Sequence, residues 1–153
     1  MTAVEDHRIG RLPDPDDRDE AAYYDGVNAK RLVAWIIDTI IIGIIGTLLI
    51  PFTAFLAIFV APVFYGLVGF IYYTLTMSGS SATWGMRLTG IEIRQADGSG
   101  MDFSTSAMHS ILYYIAVAIF PLQLVSVVLM LASPRKQGLP DMILGTAPIR
   151  RSA

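Results

Sequence analysis

Between Arg31 and Arg87 the chain carries one formally charged residue, Asp38, and between Asp102 and Arg135 it carries none. Tracts this long and this empty of charge dominate a chain of only 153 residues. Charged residues make up 16% of the whole, where a soluble domain carries about a quarter, and 54% are hydrophobic. Lipid is therefore the expected solvent for most of the chain, as a single domain. The first apolar run begins only at Leu32, after a tail rich in Asp and Pro, so it reads as a permanent anchor and not as a cleaved signal.

Leu32 to Ile50 is 19 residues long, close to the roughly 20 that span a hydrocarbon core of about 30 Å. Pro51 marks its end. Phe55 to Leu75 is again long enough to cross, with Pro62, Gly66 and Gly69 allowing kinks and close helix approach. These runs predict helix 1 at about 30–50 and helix 2 at about 54–76, joined as an antiparallel hairpin.

Residues 1–28 include Asp14-Pro15-Asp16-Asp17-Arg18-Asp19-Glu20, with too little apolar surface to offset the entropy of ordering. They predict a disordered acidic tail ahead of a membrane domain at 29–153, with Tyr23, Tyr24 and Val27 as an interfacial anchor. In the loop 78–103, Ile91 and Ile93 alternate with Glu92 and Arg94, and Asp97-Gly98 follows, which reads as a small β-hairpin. Gly145-Thr146-Ala147-Pro148-Ile149 reads as a short strand in the tail 133–153.

The third apolar segment, about 105–132, has Pro121 at its centre and Gln123 just after. It is either one kinked span or a re-entrant pair of half-length helices. The fold class is an all-α membrane protein: three hydrophobic segments in a small bundle, with a short hairpin between the second and third. Lys30 and Arg31 flank helix 1, Arg87 and Arg94 lie in the loop after helix 2, and Arg135, Lys136, Arg150 and Arg151 lie in the tail. The positive-inside rule puts the first two clusters, and the N-terminus, on the cytoplasmic side of the inner membrane in a multi-pass arrangement. A returning third segment puts the tail there too. A full crossing puts it outside.

Asp38 is the residue that most needs a partner. A mid-helix Asp costs about 2.5–3.5 kcal/mol to insert, so it faces a partner or a wet cavity. Arg31 lies seven positions earlier, within about 20° of the same helical face. Asp38 either relays a proton or cation, or fixes helix packing through hydrogen bonds. Arg31 is either part of such a site or a flank that snorkels to phosphates. Asp141, after Pro140, reads locally as a turn residue. His109, with no second His near it, reads as an interfacial side chain and not a metal ligand.

A net charge of −2 and the absence of a basic patch argue against nucleic acid as a partner. The lipid bilayer is the expected partner, with other membrane proteins or self-association beside it. No cysteine is present, so thiolate metal sites and disulfides are excluded. No glycine-rich phosphate loop, HExxH or nucleophile elbow is found, and we expect neither a cofactor nor an enzyme.

Lys30-Arg31-Leu32-Val33-Ala34-Trp35-Ile36-Ile37-Asp38 resembles the opening of the RDD family of membrane proteins, named for one arginine and two aspartates. Ser81-Ala82-Thr83-Trp84-Gly85-Met86-Arg87-Leu88 resembles its loop motif, Asp97-Gly98 its hairpin turn, and Arg135 to Asp141 with Gly145-Thr146 its ending. The resemblance covers about residues 24–150. It implies Arg31, Asp38 and Asp141 as the named charges, with Thr83, Gly85, His109, Gly145 and Thr146 as lesser members. His109 stands where members commonly carry arginine, which puts in question any role needing a permanent charge there. The activities implied are ion transport, including sodium/proton exchange, or an accessory role in a membrane complex.

Overall fold

The computed structural model describes residues 10–151. Helix α1, Val27–Leu49, has 23 residues and so is about 35 Å long. Helix α2, Ala61–Ser80, has 20. Two 3-10 turns, Ile50–Thr53 and Leu56–Val60, join them, so α2 begins later than the hydrophobic run suggests. Pro51 ends α1, and Pro62 sits in the first turn of α2, where its missing N–H is not needed. Both helices are long and apolar enough to cross a membrane. Around the joining turns Leu48, Phe52, Phe59 and Val63 are 66–86% exposed, an outer surface suited to hydrocarbon and not to water.

The loop after α2 is more structured than its composition indicates. A short helix α3, Trp84–Thr89, precedes strand β1, Ile91–Arg94. Gly98 turns the chain with φ +77°, and a single bridge pairs Arg94 with Gly100. The expected local hairpin thus narrows to that one bridge. The ladder of β1 is made instead with β2, Ala147–Arg150, antiparallel from Ile91↔Arg150 to Arg94↔Ala147. Ile91, Ile93 and Ile149 are fully buried there, which a two-stranded turn standing alone would not achieve.

The third tract forms α4, Phe103–Ala118, and α5, Phe120–Ala132, bent by 117° at Ile119. The tract leaves and returns at the same end of the bundle. His109 near its start lies 2.9 Å from Asp141, beyond its end, and Asn28 at the start of α1 donates to the Met130 carbonyl at 2.8 Å. The Pro121 segment is thus a pair of helices folded back at Ile119 and not a single continuous helix. Gly69 on α2 lets α4 approach closely: a Cβ there would overlap the Tyr114 hydroxyl. Helix α6, Leu139–Leu144, then leads into β2.

The acidic stretch corrects one expectation. Residues 1–9 of that tail lie outside the described residues, but from residue 10 onward the chain is folded against the sheet. Leu12, Tyr23 and Tyr24 form a small core with Ala147 and Ile149, and the Leu12 N–H donates to the Ala96 carbonyl at 3.2 Å. Glu20 draws Arg11 into an ion pair and accepts from the Asp14 backbone. Composition counted the charges but not the three apolar anchors spaced among them. Tyr23, Tyr24 and Val27 are accordingly buried in protein and not at a lipid interface.

Candidate functional site

Asp38 faces inward from the middle of α1 and is 1% exposed. Its Oδ1 accepts from the Tyr72 hydroxyl at 2.7 Å and the Gly85 N–H at 2.8 Å, and its Oδ2 from the Thr83 hydroxyl at 2.5 Å. Thr83 is the N-cap of α3, where its oxygen also accepts from the Met86 N–H at 3.1 Å. Gly85 is required by proximity: a Cβ there would overlap the Ala34 carbonyl oxygen and the Asp38 carboxylate. One carboxylate thus binds α1 to α2 and α3 through three donors.

Asp141 holds a second centre and is fully buried. It occupies the third position of α6, not a turn, and its Oδ2 accepts from the Gly138 N–H at 3.0 Å. Arg31 Nη1 donates to the same oxygen at 2.7 Å and to the Lys136 carbonyl at 3.3 Å. On Oδ1 the Thr146 hydroxyl donates at 2.9 Å, and His109 Nε2 lies 2.9 Å away. Burial alone would raise the pKa of Asp141, but the Arg31 charge and the His109 hydrogen bond outweigh it and hold the carboxyl well below the usual range. An ionised carboxylate only accepts, so Nε2 is the protonated nitrogen of His109. Gly145, at φ +68°, closes α6 so that Thr146 turns back onto the acid.

His109 therefore is not an interfacial side chain: it is 6% exposed and bound to an acid that arrives from 32 positions later. Arg31 and Asp38 share a face of α1, but they have separate partners. No group of three or more His, Cys, Asp or Glu suited to a metal occurs among the described residues.

The two centres border one cavity of about 390 Å³ between α1 and α5. Arg31, Asp38 and His109 reach its wall, as do Gln123 and Ser126, on a single face of α5. Tyr72, Asn28 and Ser126 carry no signal by which sequence alone marks them. Each is a lone polar residue whose partner lies on another element, although Tyr72-Tyr73 within an apolar tract does place two hydroxyls where water is scarce.

Searches among curated proteins and among solved structures each returned no match. A model of the RDD family matches residues 28–145, which takes in Arg31, Asp38, His109 and Asp141 and the loop between the two centres. With the apolar helices, that match makes this an integral membrane protein, and the chain belongs to the RDD family.

Proposed function

We propose that this RDD protein is a non-transporting scaffold or accessory subunit of the inner membrane, and not an enzyme, in which Arg31, Asp38 and Asp141 hold the fold. The observation that carries this reading is the saturation of both acids. Asp38 receives three internal hydrogen bonds and Asp141 has four internal partners. A carboxylate that carries a cation must exchange its ligands at each cycle, and here every exchange would strand buried hydroxyls and N–H groups. Proton or cation transport is favoured by a different observation, that Asp38 and His109 both border the cavity.

We place the N-terminus in the cytoplasm. The contact of Arg31 with the Lys136–Asp141 segment and the pairing of β1 with β2 gather the basic clusters of α1, the loop and the tail at one end. Three clusters on one side suit the positive-inside rule better than two against one.

The deciding experiment reconstitutes the purified protein in liposomes under proton, sodium or potassium gradients. Flux should equal that of empty liposomes, while mild detergent extraction of native membranes should recover the chain in particles larger than its own 16.7 kDa plus micelle. A pH-dependent cation flux that Asp38→Asn abolishes would replace this reading with transport.

A further inference from the structure

The cavity between α1 and α5 has polar groups at its inner end and an open, apolar mouth. Leu32 and Trp35 of α1 and Val127 and Leu131 of α5 line it while remaining 42–66% exposed, so it opens sideways toward hydrocarbon. Anything entering by that route comes from the bilayer.

On the α1 side of its wall two groups lack complements. Asn28 spends its amide N–H on the Met130 carbonyl, and its buried Oδ1 has no partner among the described residues. Arg31 makes both its hydrogen bonds through Nη1, so Nη2 and Nε have no acceptor among them. An occupant must therefore present an N–H or O–H donor to Asn28 and an anionic oxygen to Arg31. Charge sets a further condition. Arg31 is balanced by Asp141, and Asp38 also stands in the wall, so a bare anion would gain little.

Asn28 and Arg31 lie in the first turns of α1, at the level where a helix of this length meets lipid headgroups. From the unmatched acceptor, the unmatched donors and the lateral mouth, we propose that the cavity binds one membrane phospholipid whose headgroup carries both a phosphate and an ammonium N–H, of the phosphatidylethanolamine type. The phosphate meets Arg31 and the ammonium meets Asn28 Oδ1. The start of one acyl chain lies against Leu32, Val127 and Leu131. The cavity falls within the size range of small-molecule sites, enough for a headgroup and part of one chain.

The test is native mass spectrometry of the full chain in a non-denaturing detergent, with one added compound at a time. Phosphatidylethanolamine should be retained as a single adduct. Phosphatidylcholine, with the same phosphate and chains but no N–H, should bind about tenfold more weakly, the weight of one unmade buried hydrogen bond. Soluble phosphoethanolamine should not be retained, and if it binds as well as the lipid the site is for a free phosphate ester. Val127→Trp, which fills the mouth without touching a polar group, should lose the adduct. Val128→Trp, one position on and outside the cavity lining, should keep it. Equal retention of the two phospholipids by the wild type, or an undiminished adduct in Val127→Trp beside Val128→Trp, would reduce the bound lipid to the ordinary annulus and overturn the proposal.

Discussion

Arg31 and Asp141 lie 110 positions apart in the chain and 2.7 Å apart in space, joining the first turns of α1 to the short helix beyond the bent pair α4 and α5. The pair is nearly dry: the Arg31 side chain is 13% exposed and that of Asp141 is not exposed at all. Removing one member of such a pair leaves an uncompensated buried charge, which costs about 3–5 kcal/mol. Asp141→Asn should therefore destabilise strongly, and the double variant Arg31→Met with Asp141→Asn should lose less than the sum of the two single losses. Denaturant unfolding of all four proteins in micelles gives the coupling directly, and strict additivity would deny that the contact matters.

The same carboxyl dictates how stability depends on pH. Asp141 is held below its ordinary value of 3.8 in the folded protein, so the unfolded chain takes up its proton first as pH falls. The contribution to stability is fully present above that ordinary value and is lost as pH drops toward the folded one. Unfolding midpoints should be flat on this account from pH 7 to about pH 5 and should fall below about pH 4. Asp97 and Asp102 also sit below their ordinary values, through hydrogen bonds from Ser99 and Thr105, but both are wholly exposed. The acid-side fall should consequently be shallower in Asp141→Asn, and an unchanged slope would assign it to other groups.

Asp38 offers a graded series. Asp38→Ala strands the donors of Tyr72, Thr83 and Gly85 in a buried site, at about 1–3 kcal/mol each before any relaxation. Asp38→Asn retains one acceptor oxygen, so its loss should be clearly smaller. Tyr72→Phe removes the donor together with its need and should be the mildest of the three. Unfolding in micelles that ranks Tyr72→Phe as the most damaging would mean that the phenol, not the acid, organises the centre.

The membrane helices were readable because absence of charge is a strong, local signal, and Pro51 and Pro121 marked the chain's breaks. Asp38 was equally conspicuous, since a lone acid in an apolar tract demands a partner. The partners themselves were not: Tyr72 and Thr83 lie 34 and 45 positions away and satisfy no local spacing. The same holds for β1, whose period of two announces a strand and whose Asp97-Gly98 turn gives the local bridge to Gly100, but not the longer ladder with β2. That alternation marks a strand without naming its partner, and it misses that Glu92 is buried beside both isoleucines. His109 is not legible in the sequence for a related reason. Its position at the end of an apolar tract suits an interface, and only the return of α5 brings Asp141 to it.

Gly85 tests the close approach of α1 to α3. A methyl group there meets a backbone oxygen and the Asp38 carboxylate, neither of which can turn aside, so Gly85→Ala should destabilise by about 1–3 kcal/mol. Gly66 in α2 has nothing within 4 Å of an added Cβ. Gly66→Ala should be neutral or stabilising by up to about 1 kcal/mol, because alanine loses less backbone freedom in a helix. Equal effects at the two positions, measured by unfolding in the same micelles, would mean that α1 and α3 are not in register through Asp38.

The returning third tract makes a prediction about sidedness that needs no assumption about activity. Because the chain has no cysteine, single cysteines introduced at exposed positions report their own side of the membrane. Asp97→Cys probes the loop between α3 and α4, Arg150→Cys the end of β2, and Phe52→Cys the turns between α1 and α2, all three positions being exposed. Residues 97 and 150 lie at the end where β1 pairs with β2, while Phe52 follows the far end of α1, about 35 Å away along that helix. A membrane-impermeant maleimide should therefore label 97 and 150 together in inverted vesicles, and 52 in intact cells. Labelling of 150 with 52 would require α4 and α5 to straighten into one crossing. Straightening would carry Asp141 across the hydrocarbon from Arg31, so that single result would dismantle the ion pair and the β1–β2 sheet together.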